Sequence, residues 1–187
     1  YFVYCNFTLD GPASRMEEKY LMGLGADSPL RLECWENLRA TMEFRSGSNK
    51  QIGLHMVDYS QQMLSFTRAG IPTSLTMLSE WESNEAVLIF NKIRTGIQRT
   101  KRSPSYFSTM RLLASRISLA SKKFSEEMFI QLAKLLRKNP SSKELETGWE
   151  MMSVWLRTRH LDKNFLPTLK HFVFTQATYL FQQPGRD

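Results

Sequence analysis

No run of apolar residues approaches the roughly 20 needed to cross a bilayer, and Tyr1 to Phe7 is too short, and wrongly flanked, for a signal peptide. Cysteine is scarce. Cys5 and Cys34 stand alone, with no His or Cys at ligand spacing, and read as reduced thiols of a cytosolic protein. His55, His160 and His171 are scattered, without an HExxH pattern, and no glycine-rich strand-to-helix turn is present to cradle a phosphate. These absences remove the usual zinc hydrolase and nucleotide-hydrolase classes. The carboxylate pairs Glu126–Glu127 and Glu144–Glu146 fall near expected helix starts, where the helix dipole accounts for them without catalysis. The chain is therefore expected not to be an enzyme and to need no cofactor and no metal. Helix-turn-helix, RRM and KH wording are also missing, so specific nucleic-acid readout has no support. Alternating strand patterns of useful length do not occur, which points to an all-α fold.

The 187 residues suit one domain, or one domain with an ordered extension, and 42% hydrophobic against 23% charged content is ordinary for a globular chain. It begins with Tyr and reads as part of a longer protein. In the first 56 residues, Gly11-Pro12 and Asp27-Ser28-Pro29 are turn signals around a short helix from Met16 to Met22. Leu30 to Phe44 then predicts a helix, with Ser28 as cap, Pro29 in the first turn, and Leu32, Trp35, Leu38 and Met42 on one face. An exposed stripe containing Trp35 would be an aggregation liability, so this extension or linker is expected to dock on the core. Arg45 to Lys50 reads as a connection. Beyond it, Asp58 is expected to cap a helix through Phe66, Pro72 to start one through Leu78, and Asn84 to start one over Glu85 to Ile97, with Val87, Leu88, Phe90 and Ile93 apolar. Tyr106, Met110, Leu113 and Ile117 mark the next helix.

The clearest stretch runs from Phe124 to Phe174. Ser125 followed by Glu126 and Glu127 predicts a helix start, Met128, Phe129, Leu132, Leu135 and Leu136 recur at helical spacing, and Asn139-Pro140 ends the run. Ser141 and Ser142 restart it. Leu145, Trp149, Met152, Val154, Trp155 and Leu156 give the second helix an apolar face wide enough to predict the central helix of the fold. In Phe165-Leu166-Pro167-Thr168-Leu169, Pro167 belongs in the first turn of the last main helix, with Leu166, Leu169, Phe172 and Val173 directed inward. The expected core anchors are Phe129, Leu132, Trp149, Trp155 and Phe172. The expected architecture is a compact all-α bundle or superhelix of about eight to ten helices.

Four of these phrases, in order and at their spacing, resemble the MyTH4 domain: Glu127 to Leu132, Asn139-Pro140, Gly148-Trp149-Glu150-Met151-Met152, and Phe165 to Leu169. Upstream, Met63 to Arg68 and Ile71-Pro72-Thr73-Ser74-Leu75 are similar to the segment that opens that domain, in wording nearest its kinesin branch. The sequence departs from the family pattern at Leu135-Leu136-Arg137-Lys138, usually polar and often with Thr, and at Arg157 to Asp162, which replaces a Phe-Pro-Pro-Ser type connection. The resemblance implies a helical module over 57–181, between an extension over 1–56 and a tail over 182–187. It also implies a tail or adaptor module of a cytoskeletal protein, such as an unconventional myosin, a plant-type kinesin or a Rho GTPase-activating protein. Such a module binds microtubules or cargo, with a FERM domain as a possible neighbour, and works in the cytoplasm on the cytoskeleton. The alternative is a trafficking adaptor of the VHS or ENTH shape, taking acidic peptides or lipid head groups.

Charge is uneven. Residues 91–138 hold twelve Lys and Arg against two acids, a net of +10, whereas residues 1–90 are net −4 and 139–187 net +1. A clustered positive field favours acidic partners, among them tubulin, acidic cargo segments and anionic lipid. The candidate contact residues are Arg99, Lys101, Arg102, Lys122, Lys123, Arg137 and Lys138, several of them beside Ser103-Pro104 or Ser121, where side chains project freely.

Overall fold

A computed structural model describes residues 31–45, 56–98, 106, 110–111, 113–116, 121–158 and 162–181. A 3-10 turn at Leu32–Cys34 leads to α1 (Arg39–Arg45), α2 (Met56–Met63), α3 (Glu80–Gln98), α4 (Lys122–Leu136), α5 (Ser142–Thr158) and α6 (Phe165–Phe181). Tyr106, Met110, Arg111 and 113–116 are helical as well. Among the described residues there is no β-strand, only an isolated bridge between Leu38 and Thr76, and the fold class is all-α as expected.

The central helix is α4, not α5. Every side chain from Phe124 to Leu136 is buried, because α3 and α5 both pack on α4 and the segments at Met63–Ser65 and Leu75–Thr76 cover its polar residues. Ser121, rather than Ser125, caps it, its Oγ accepting from the Phe124 N–H at 3.2 Å. Glu126 and Glu127 consequently fall inside the protein, not at a solvated helix start. α5 does begin at the Ser141–Ser142 restart, where Ser141 Oγ accepts from the Glu144 N–H at 3.3 Å. It buries Leu145, Met151, Met152 and Trp155 while leaving Val154 exposed. Pro167 lies in the first turn of α6, where a missing N–H costs nothing, and Leu169 and Phe172 point inward. Leu166 is only half-buried, the anchor at this end being Phe165.

Three earlier segments differ from expectation. The helix from Leu30 to Phe44 is broken into the 3-10 turn and α1, which buries Leu32, Trp35 and Leu38 but exposes Met42. Trp35 meets Phe165 edge to face at 5.1 Å, so this segment shares the main core. Residues 71–79 are not helical but form a bent segment, in which Leu75 O accepts from the Arg39 N–H at 2.8 Å and the Met77 N–H donates to Asn37 O at 3.2 Å. α3 starts at Glu80, capped by Ser79, whose N–H and Oγ both reach the Glu82 carboxylate in a capping box, and Leu88 is exposed. α2 closes at Met63, short of Phe66, with Asp58 inside its first turn. The expected helix from Met16 to Met22 and the position of Ile117 lie outside the described residues.

Candidate functional site

Of the expected cationic contacts, Arg99, Lys101 and Arg102 lie outside the described residues. Lys122 and Lys123 stand exposed in the first turn of α4, where the helix dipole does not favour cations. Neighbouring acids compensate. Lys122 Nζ lies 3.5 Å from Asp162, with its side chain 71% exposed, and Ser121 Oγ reaches Glu82 Oε1 at 3.3 Å. A bond from the Asn164 N–H, aided by Lys122, holds the Asp162 carboxyl below its usual range. Ser79 does the same for Glu82, with a smaller contribution from Lys123.

Glu126 belongs to the same corner but is buried. Burial, with Asp162 and Glu36 nearby, pushes its carboxyl up to about 7 against the opposing pull of Asn37 and Lys123. The folded chain thus holds this proton more tightly than the unfolded chain, whose value is near 4.5. The resulting stability is complete below pH 4.5 and is lost as the pH climbs to about 7, an effect of about 3 kcal/mol. Glu126→Gln is expected to be more stable than the parent at pH 8 and to flatten that part of the profile. Denaturant melts from pH 5 to 8 check this, and parallel profiles for the two proteins would contradict it.

The far end of α4 is organised differently. Arg137 is turned into the fold, 18% exposed, and bonds the buried Glu33 of the 3-10 turn. Burial alone would raise the Glu33 carboxyl, yet Arg137, with Arg31, outweighs it and holds it below the usual range. Arg137 therefore ties the first segment to α4 and does not stand free on the surface. Lys138 is exposed, and its φ of 50° places it in the left-handed region. Asn139 closes the turn, donating to Leu135 O at 3.0 Å and to Glu144 Oε2 at 3.1 Å. Lys134 is buried, its ammonium donating to Met63 O and Ser65 O at 2.6 Å each, and burial lowers its pKa. Lys92 and Arg111 are exposed, while Arg116 pairs with Glu85 at 2.5 Å.

The expected core residues hold the helices together. Phe129, Leu132 and Trp155 are fully buried, Phe129 meeting Trp155 edge to face at 6.2 Å. Phe172 is buried and stacks on Trp149 at 6.3 Å; Trp149 itself packs on the core only half-buried. Sequence reasoning missed a polar tie inside this core. The Glu127 carboxylate accepts from Leu75 N–H at 2.9 Å, Thr76 N–H and Oγ1 at 2.7 Å each, and Gln131 Nε2 at 2.7 Å. Gln131 also donates to Ala86 O at 3.0 Å. A carboxylate and an amide four residues apart inside an apolar run were the available signal. Among the described residues no His, Cys, Asp and Glu cluster suits a metal, and no helix is long and apolar enough to cross a membrane.

The family model of the MyTH4 domain matches residues 114–183, which span α4, α5 and α6. In fold, the chain superposes on the MyTH4-FERM MF2 domain of Dictyostelium discoideum myosin VII with a TM-score of 0.68, over 86% of this chain and 33% of that one, at 18% identity. Over residues 114–183, a little more than a third of its length, the chain resembles the MyTH4 domain. A mutant of the same Dictyostelium structure superposes at a TM-score of 0.58 and 15% identity, covering 80% of this chain and 32% of that one. In sequence, 111 residues, 59% of the chain, are 28% identical to the high molecular weight form of myosin-1 of Acanthamoeba castellanii. The chain spans only 7% of that relative's length.

The geometry explains why the MyTH4 phrases read as they do. Glu127 in one phrase holds Leu75, the last residue of another, and Thr76 just after it, although 51 residues separate Thr76 from Glu127. Gly148 of the Gly-Trp-Glu phrase lets α5 approach α4, since a Cβ there would lie 2.6 Å from Leu136 Cδ2. Asn139 of the Asn-Pro phrase bonds both helices that it joins.

Proposed function

We propose that this chain is a MyTH4 domain, a non-catalytic tail module of a cytoskeletal motor, which works in the cytoplasm beside a FERM domain and engages an acidic partner, either the microtubule surface or an acidic cargo segment. The observation that carries this reading is the +10 balance of residues 91–138 together with the exposure of Lys92, Arg111, Lys122, Lys123 and Lys138. The likeness to a myosin and to a myosin MyTH4-FERM fold supports the motor-tail context. Each exposed ion pair is worth only about 0–1 kcal/mol, so attraction of this kind is shared among several cations.

Co-sedimentation of the chain with microtubules tests the reading. The parent is expected to pellet with them, more weakly as salt rises, because the screening length is about 8 Å at physiological ionic strength. The fourfold variant K101E/R102E/K122E/K123E is expected to lose most of that binding. Binding indifferent to salt and to the four substitutions would remove the basic surface as the contact. A parent that pellets neither with microtubules nor with an acidic peptide would remove the reading itself.

A further inference from the structure

α3 carries large apolar side chains that the bundle does not use. It packs on α4 and α5 through a face that buries Ala86, Ile89, Phe90, Ile93 and Ile97. On the opposite face Trp81 is 74% exposed and Leu88 57%. At about 100° per residue these two lie within about 20° of each other round the helix and about 10 Å apart along it, and exposed Lys92 and Thr95 prolong the same stripe. A single exposed apolar residue is ordinary, but two large ones seven residues apart on one stripe have the spacing of a helix-to-helix contact.

Charge along α3 argues what covers that stripe. Its acids, Glu80, Glu82 and Glu85, all precede its bases, Lys92 and Arg94. A helix acidic in its first half and basic in its second is complementary to its own copy running antiparallel, an arrangement that also opposes the helix dipoles. The apolar positions agree with this direction. A two-fold axis at Leu88 sets that side chain against Leu88 of the second copy and Trp81 over Thr95 of the second copy. Residues on one flank of the stripe stay on that flank across such an axis, so Glu85 comes beside Lys92 of the second copy. Glu85 Oε1 already takes Arg116 at 2.5 Å, but its Oε2 has no hydrogen bond among the described residues, and Lys92 is exposed with no ion pair among them.

We propose that the outer face of α3 is a self-association surface, on which a second copy of this chain docks antiparallel about a two-fold axis at Leu88. The proposal does not depend on an acidic partner, since Lys122 and Lys123 lie on another helix. A second copy is favoured over a lipid surface because acids, Glu80 and Glu82, flank the indole of Trp81, where helices that lie on membranes carry Lys and Arg. One helix stripe is at the small end of specific interfaces, so the dimer is weak, with a Kd on the order of 100 μM.

The test is sedimentation velocity of the 187-residue chain from about 5 to about 500 μM, a range that brackets the expected Kd. The parent is expected to pass from monomer to dimer. L88E sets two carboxylates against each other at the axis and is expected to weaken the dimer at least about tenfold, and K92E about two- to fivefold. Both side chains are exposed, so both variants are expected to melt by circular dichroism where the parent does. Direction is read by oxidative crosslinking in a C5S/C34S background. L88C is expected to crosslink to itself, whereas N84C is not, because the two copies of residue 84 stand about 12 Å apart along the helices. A parent that stays monomeric throughout would overturn the proposal, and phosphatidylserine vesicles bound by that parent and not by L88E would give the face to a lipid surface instead. A dimer that L88E leaves intact would overturn the face. Crosslinking of N84C as readily as L88C would overturn the antiparallel pairing.

Discussion

Glu127→Ala is expected to cost the fold at least about 4 kcal/mol, a large share of the about 5–15 kcal/mol that holds a domain together. The substitution does not merely remove a bond. It leaves the Leu75 and Thr76 amides, the Thr76 hydroxyl and one Gln131 amide donor buried with their acceptor gone, and each such group costs about 1–3 kcal/mol. Burial raises the carboxyl's pKa, while the four donors pull it down and compensate part of the desolvation. Glu127→Gln keeps the shape but turns an NH2 toward those donors, so an intermediate loss is expected. Denaturant unfolding followed by circular dichroism checks the order parent, Gln, Ala. An Ala variant with the parent's midpoint would show that the 71–76 segment is held some other way.

The second large effect concerns the two tryptophans of α5. Trp155→Ala is expected to cost about 3–5 kcal/mol, because the indole is fully buried against Phe129 and the cavity cannot collapse between two packed helices. Trp149 stacks on Phe172 but is half-buried, so Trp149→Ala is expected to cost about half as much. Chemical denaturation of both variants tests the order. A larger loss at Trp149 would mean that α6 leans on that indole more than its exposure implies.

What could be read in the sequence was what repeats locally. Phe129, Leu132, Trp155 and Phe172 follow from helical spacing, and Pro167 and Ser141 mark real helix starts, because the physics involved acts within a turn or two. The larger errors came from contacts distant in sequence. Pro72 fits a helix start as well as a bent, non-helical segment, and the choice was made by Glu127, 51 residues from Thr76. Ser125-Glu126-Glu127 has the wording of a solvated helix start, yet the true cap is Ser121 and both carboxylates are covered by neighbouring segments. Arg137 resembles a free surface cation at a helix end until Glu33, 104 residues away, is brought against it. Charge counting located the basic stretch but was blind to pairing, which takes Arg116 to Glu85 and Arg137 to Glu33.

The 71–76 segment and the Glu127 phrase form one structural unit, and amide hydrogen exchange at Leu75 and Thr76 tests this most directly. Neither residue lies in a helix, so ordinary loop amides there would exchange fast. With both N–H groups held by a fully buried carboxylate, they are expected to exchange as slowly as the middle of α4, and to lose that protection in Glu127→Gln before α4 does. Fast exchange at Leu75 and Thr76 in the parent, while α4 stays protected, would contradict the claim.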